Sequence, residues 1–395
     1  MRRVTLGDIA EVVSGGTPAR NQPAYWGGDI PWVKTGAIDY CWIREADEWI
    51  TKEGLENSAA RIVPKGTILM AMYGQGKTRG QVAILGVDAA INQACAALLL
   101  GEGCDRDYVY QQLVFRYVGI RSMSNTGSQE NLNSELIRGI AFPLPEEREQ
   151  RKVGGILKVW DDAISWGERL VGLGREKKRG LMQQLLTGLK RFKGFRREWR
   201  HCHLGEVVEA VSRPVVWDEN ELYRLAIVRR WCGGVDLRES LYGHQIKVKK
   251  LQTIRAGDFL LSHIQAAYGA MAMVPGKFDG AKVSELYTIL RPWDPGAFDI
   301  RFLGYMGQTK RMWHMAIMAS NGFFAERLRL NFDPEEFLRL PVAVPPTLEE
   351  QAKIADTLEC CDREIGLLEK QLAALKKQKR GLMQKLLTGE VRVKC

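Results

Sequence analysis

Along residues 354–386, apolar side chains fall at Ile354, Leu358, Cys361, Ile365, Leu368, Leu372, Leu375, Leu382 and Leu386, with charged residues between them. The steps alternate four and three, and Lys379 fills the one register position that lacks an apolar residue. A stripe this narrow, sustained for more than four heptads, predicts a long helix that pairs with another helix. Over 153–185 the same register reads Val153, Leu157, Trp160, Ile164, Gly167, Val171, Gly174, Lys178, Leu181 and Leu185. Prolines precede each stretch (Pro143 and Pro145; Pro345 and Pro346) and Thr-Gly closes each, as helix start and stop signals do. About 38 helical residues would make a rod about 57 Å long.

The two stretches are copies of one another. KRGLMQQLLTG at 178–188 returns as KRGLMQKLLTG at 379–389, and 145–188 matches 346–389 without a gap at 18 of 44 positions. A fainter echo starts each half: Thr5-Leu6-Gly7-Asp8 resembles His203-Leu204-Gly205-Glu206, and Gly66-Thr67-Ile68-Leu69-Met70 resembles Gly257-Asp258-Phe259-Leu260-Leu261. The layout is therefore a variable domain, a repeated helix, a second variable domain and the helix again. Two equivalent helices in one chain can pair as an antiparallel coiled coil; the alternative is that each is only the core stripe of its own domain. Gly167 and Gly174 weaken the first helix by about 1 kcal/mol each relative to Ala. Their counterparts are Leu368 and Leu375, so small residues on one helix would admit large ones from the other. A kink near Gly172–Gly174 is the competing expectation.

Between the repeats, patterning is mixed. The runs 67–73, 81–85 and 259–262 read as strands, and 108–121 and 298–318 as helices with apolar steps of three and four. The expected fold class is α+β, with a rod appended to each domain.

Composition narrows the function. An apolar fraction of 45% and a charged fraction of 26% are those of a soluble globular protein. No apolar run approaches the ~20 residues of a membrane span, and the N-terminal MRRVTLGDIAEVV carries no secretory pattern. The expected location is cytoplasmic. A net charge of +10 favours a polyanionic partner. The eight cysteines show no zinc or disulfide spacing, so no metal site is expected.

AMYGQGKTRG at 71–80 ends in Gly76-Lys77-Thr78, as a phosphate-binding loop does. Such a loop needs a helix starting at Lys-Thr to hold the β-phosphate, whereas Gln81–Leu85 is strand-like. A P-loop ATPase using Lys77 is therefore the runner-up reading. The preferred reading is a hairpin joining two strands, either an ordinary solvated turn or a tip that approaches nucleic acid through Gln75, Lys77, Thr78 and Arg79. Cations neutralise phosphates, and Arg and Gln are common base readers. A second candidate is the polar run Ser124–Asn133, with Asn125, Thr126, Ser128 and Gln129; a capped turn is its plainer explanation. In the second half, Gln265, Tyr268 and Lys277 occupy the matching hairpin region, and Arg327 and Arg329 the matching loop. No catalytic constellation is evident. A third possibility is a coiled-coil scaffold that binds only proteins.

Leu6-Gly7-Asp8-Ile9, Ile30-Pro31-Trp32-Val33-Lys34-Thr35-Gly36, Thr126-Gly127-Ser128-Gln129, the Pro143–Gln150 entry and the twofold Leu-Met-Gln-x-Leu-Leu-Thr-Gly exit together resemble the specificity subunit of a type I restriction–modification system. The resemblance spans essentially the whole chain. It implies two pseudo-twofold-related mixed α/β target-recognition domains, 1–142 and 191–342, each reading half of a bipartite site in double-stranded DNA. Lys34 joins the candidate contacts. The helices of 143–190 and 343–395 would form the spacer and dock two methyltransferase subunits, through which motor-nuclease subunits would join. The chain would then have no catalysis or cofactor of its own, with S-adenosylmethionine and ATP bound on partner subunits. Where the family has Thr-Gly-Ser-Gln, the second domain has Ser320-Asn321-Gly322.

Overall fold

The computed structural model of the chain describes residues 1–74, 76–123, 131–321 and 331–394. It divides into two compact units, Met1–Arg169 with Glu369–Cys395, and Leu170–Leu368. Both mix α and β, and two helices are long: Glu147–Leu185 and Leu348–Thr388. The first is one helix through Gly172–Gly174, so the competing expectation of a break there is not met. No helix among the described residues is long and apolar enough to cross a membrane.

In the first unit, a five-stranded sheet runs in the order Ala10–Ser14, Cys95–Leu100, Ile68–Ala71, Val82–Leu85 and Trp42–Ile43. Its strands are apolar on both faces, because both faces are covered. One carries Val12, Ile68, Met70, Val82 and Leu98 against Val109, Leu113 and Ile137. The other carries Val13, Leu69, Ala83 and Leu85 against Val33, Ile38 and Ile91. A second sheet is ordered Glu48–Ile50, Trp26–Val33, Ala89–Ile91 and Arg61–Val63.

The second unit repeats this plan. One four-stranded sheet is ordered Val208–Val211, Tyr287–Pro292, Phe259–Ser262 and Met271–Met273; the other is Val235–Tyr242, Leu222–Val228, Lys282–Ser284 and Leu251–Thr253. The expected helices over 108–121 and 298–318 are each two. Arg106–Phe115 is followed by Tyr117–Ser122, and Ile300–Met306 by Lys310–Met318. In the second case Thr309 restarts the helix, its hydroxyl accepting from the Met312 N–H at 3.3 Å.

The faint sequence echoes have physical causes. The Asp8 carboxylate accepts from the Thr5 N–H at 2.7 Å and that of Glu206 from the His203 N–H at 2.8 Å, the same cap built twice. Gly66 and Gly257 sit at φ 89° and 85°, a conformation that glycine adopts without steric cost.

Within each unit the long-helix segments lie side by side and run in opposite directions. In the first, Lys379 contacts Asp161 at 2.5 Å, Lys376 contacts Glu168 at 2.6 Å and Gly167 faces Leu372. In the second, Lys178 contacts Asp362 at 2.7 Å, Lys177 contacts Glu364 at 3.0 Å and Gly174 faces Ile365. Both glycines thus sit opposite large side chains, as the sequence suggested. Along the stripe, Val153, Leu157, Val171, Leu185, Ile354, Leu358, Cys361, Ile365 and Leu386 are buried, and Trp160, Ile164, Leu181, Leu368, Leu372, Leu375 and Leu382 half-buried.

The helix entries are anchored alike. Gln150 donates to the Pro145 carbonyl at 2.9 Å and accepts from the Asp105 N–H at 2.9 Å; Gln351 donates to Pro345 at 2.9 Å and accepts from Asp299 at 2.8 Å. Asp105 and Asp299 cap the helices Arg106–Phe115 and Ile300–Met306, so each glutamine ties a domain helix to the start of a long one. Beside them, Arg392 grips Glu149 with two hydrogen bonds in the first unit and Arg191 grips Glu350 in the second.

Candidate nucleic-acid interface

In the first unit, Ile68–Ala71 and Val82–Leu85 pair antiparallel and present the 72–81 loop as the tip of a hairpin. No helix begins at Lys77-Thr78: a turn there leads into Val82–Leu85. The β-phosphate site of a P-loop is therefore missing, which removes the ATPase reading.

The hairpin's candidate residues differ in what they can do. Lys77 is exposed, and its carbonyl accepts from the Tyr117 hydroxyl at 2.5 Å, fixing the backbone beneath a solvated ammonium. Thr78 is half-buried. Arg79 is only 6% exposed and donates to the Arg121 carbonyl at 3.0 Å, so its guanidinium clamps the hairpin to the helix Tyr117–Ser122. Lys34 pairs with Glu48, which also takes Arg20; bonds from Arg20 and then Lys34 hold the Glu48 carboxyl below its usual range. The Arg20 guanidinium lies 3.8 Å from the Trp26 ring centroid. Sequence reading did not single out Arg20 and Trp26, since neither lies in a motif.

In the second unit the matching hairpin joins Phe259–Ser262 to Met271–Met273. Gln265 and Tyr268, both half-buried, flank its tip. Tyr268 is surrounded by a cluster that sequence reading also missed. Trp231 lies edge-on to it at 6.0 Å and to Trp313 at 5.8 Å, and the Arg230 guanidinium lies 5.2 Å from the Tyr268 ring. Lys277 is exposed on the next turn, its ammonium 4.9 Å from the Phe278 ring. The structure therefore brings Gln265 and Tyr268 to one tip and leaves Lys277 on a separate turn. Gln75, Asn125, Thr126, Ser128, Gln129, Arg327 and Arg329 lie outside the described residues.

Among the described residues no group of three or more His, Cys, Asp or Glu side chains could hold a metal ion. The described cysteines are unpaired, and burial raises the Cys95 thiol to about 12, suiting a core residue rather than a nucleophile.

Residues 1–170 match the family model described as the type I restriction modification DNA specificity domain. The MjaIX type I restriction enzyme specificity subunit of Methanocaldococcus jannaschii is 22% identical over 98% of this chain and 92% of its own. A type I restriction enzyme specificity subunit of Escherichia coli is 27% identical over 40% of each chain. Among solved structures, the S subunit of the type I restriction–modification system from M. genitalium superposes with a TM-score of 0.63 at 13% identity, covering 98% of this chain and 96% of that one.

Proposed function

We infer that this chain belongs to the family of type I restriction–modification specificity subunits and is the non-catalytic DNA-recognition member of such a complex. The observation that carries the reading is the match of residues 1–170 to the specificity-domain model, together with a second unit that repeats the first one's sheets, caps and helix anchors. Residues 1–142 and 191–342 are the two target-recognition domains, each reading one half of a split site in duplex DNA. The hairpin tips carrying Lys77 and Thr78, and Gln265 and Tyr268, are their reading elements, and the polar run 124–133 and the basic residues Arg327 and Arg329 are further candidate contacts on their sequence alone. Arg79 supports its hairpin from within.

The helices of 143–190 and 343–395 form an antiparallel coiled coil that sets the spacer. Two contacts support this. Asp161 meets Lys379, and Asp362 meets Lys178, so each residue's repeat counterpart meets its partner's counterpart. The same lysine–aspartate pairing is thus built once in each unit. Half-site spacing then follows from geometry. Faces left open on the helices dock two methyltransferase subunits, which bring S-adenosylmethionine and join the ATP-driven motor-nuclease subunits.

Methylation mapping in cells carrying this chain with its methyltransferase tests the reading. The expected result is one split motif with a fixed spacer. Replacing residues 1–142 by another such domain should change one half-site alone. A contiguous motif, or none, overturns it.

A further inference from the structure

We propose that Tyr40 and Trp231 are matched aromatic wedges, one in each recognition domain, that press against a base step of bound DNA beside the bases read by the hairpin. The proposal rests on the function inferred above and adds to it a readout of DNA deformability.

Three non-glycine residues among those described have positive φ: Tyr40 at 53°, Trp231 at 57° and Cys232 at 56°. Left-handed backbone costs an L-residue about 1–2 kcal/mol, and bulky side chains rarely adopt it. Such strain persists where surrounding structure enforces it, and it clusters at functional sites.

These residues occupy equivalent places. Tyr40 follows the strand Trp26–Val33, which pairs in parallel with Ala89–Ile91; Trp231 follows Leu222–Val228, which pairs in parallel with Lys282–Ser284. Each loop hangs on its unit's hairpin. The Tyr40 N–H donates to the Val82 carbonyl at 2.9 Å, while Trp231 and Cys232 donate to Tyr268 and Gly269 at 2.8 and 3.1 Å. Each ring also meets an aromatic from the helix behind. Tyr40 lies 5.9 Å from Tyr117 at 82°, and Trp231 lies 5.8 Å from Trp313 at 60°. The loops share no sequence pattern and differ in detail: Tyr40 is a single left-handed residue, whereas Trp231 and Cys232 are consecutive ones in a turn closed by the Gly233 N–H donating to the Arg230 carbonyl at 3.1 Å.

The rings are held but not covered: Trp231 is 66% exposed and Tyr40 36%. Guanidinium groups stand beside their supports. Arg230 lies against Tyr268, and Arg121 donates to the Tyr117 hydroxyl at 3.0 Å. Trp231, an exposed ring with a cation beside its support, suits a partner that offers π-faces and phosphates together, which favours DNA over a protein surface. Tyr40 is more covered and has Asp39 as well as Arg121 near it, so its contact is the weaker of the two. Side chains that wedge between base steps act most easily at flexible pyrimidine–purine steps, so they discriminate sequence without hydrogen bonds.

The test uses the chain assembled with its methyltransferase, and duplexes of its mapped motif carrying 2-aminopurine at successive steps. Wild type is expected to raise the fluorescence at one step per half-site. Trp231→Asn, chosen because Asn tolerates left-handed backbone, should abolish the signal in the half-site read by residues 191–342. It should also weaken binding about tenfold and leave thermal stability equal or higher, while Trp231→Phe keeps part of the signal. Tyr40→Asn should do the same, more weakly, in the other half-site. Unchanged fluorescence and affinity in both Asn variants overturn the wedge. So does loss of the methyltransferase subunit on size-exclusion chromatography, which would assign the rings to a protein interface. A wild-type complex that modifies no split motif defeats the functional reading instead.

Discussion

The ammonium of Lys379 lies 2.5 Å from the Asp161 carboxylate, and the lysine is the more deeply buried partner, with side-chain exposures of 9% and 39%. Asp161 also accepts from the Gln111 amide at 2.5 Å. A lysine thus occupies a heptad core position and an aspartate at the edge of the stripe satisfies it.

Removing the aspartate should therefore cost more than removing the lysine. Asp161→Ala strands a buried ammonium and should destabilise the protein by about 2 kcal/mol, below the 3–5 kcal/mol of a fully buried pair because Asp161 is partly solvated. Lys379→Leu restores an apolar register and should be neutral or stabilising, and in the Lys379→Leu background the Asp161 change should lose most of its effect. Urea unfolding of the four proteins, followed by helical circular dichroism, gives the coupling energy. Equal costs for both single variants would mean that the pair is not organised as described.

The Glu149 carboxylate is 3% exposed, and the bonds from Arg392 hold its carboxyl below the ordinary value of 4.5, with the Val393 N–H adding to the effect. A group whose folded value is depressed contributes stability above its unfolded value and loses it as pH falls through the folded one. Wild type should accordingly lose this contribution on acidification below about pH 4.5. Glu149→Gln should be less stable at neutral pH and show a flatter decline in acid. Thermal melts from pH 7 to 3 check this, and parallel curves for the two proteins would contradict it.

Much of this architecture was legible because the repeat constrains it. The stripe from Ile354 to Leu386 gave the helix and its buried face, since a two-helix seam tolerates few substitutions. Lys379 stood out as the one polar residue of its stripe, but its partner did not: Asp161 reads as part of a solvated helix face, and only the packed helices bring it to the lysine. Arg191 and Arg392 also stand 201 residues apart, and carrying the alignment past Thr-Gly would have exposed both glutamate grips. The reading elements were less legible. Arg79 looked like a base reader from its neighbours, yet it is turned inward, because side-chain direction at a hairpin tip depends on helices distant in sequence. Trp231 escaped notice for a related reason: its turn is closed locally by Gly233 on Arg230, but the bonds that seat it on the hairpin go to Tyr268 and Gly269, which no local pattern encodes.

The helix glycines give an internal comparison. A Cβ at Gly172 would meet nothing within 4 Å, whereas one at Gly167 would lie 3.2 Å from Leu372 Cδ1. Gly172→Ala should stabilise by about 1 kcal/mol through helix propensity alone. Gly167→Ala gains the same propensity but must displace Leu372, so its net effect should be smaller or reversed. Denaturation midpoints of the two variants decide, and a larger gain at Gly167 would show that the glycine is not needed for the close approach.

Lys77 and Arg79 should separate contact from support on the same hairpin. Lys77 is exposed with its backbone fixed by Tyr117, so Lys77→Ala should leave thermal stability unchanged. If the lysine neutralises a phosphate, the variant should weaken binding to duplex DNA across sequences and reduce the slope of log affinity against log salt by about one. Arg79→Ala removes a nearly buried side chain and its bond to the Arg121 carbonyl. It should lower stability by about 1–3 kcal/mol and blur the preference at one half-site, with little change in salt slope. Fluorescence-anisotropy titrations at several salt concentrations, run beside thermal melts, read both quantities. A salt slope altered by Arg79→Ala and left intact by Lys77→Ala would exchange the two roles and put the arginine, not the lysine, on the phosphate backbone.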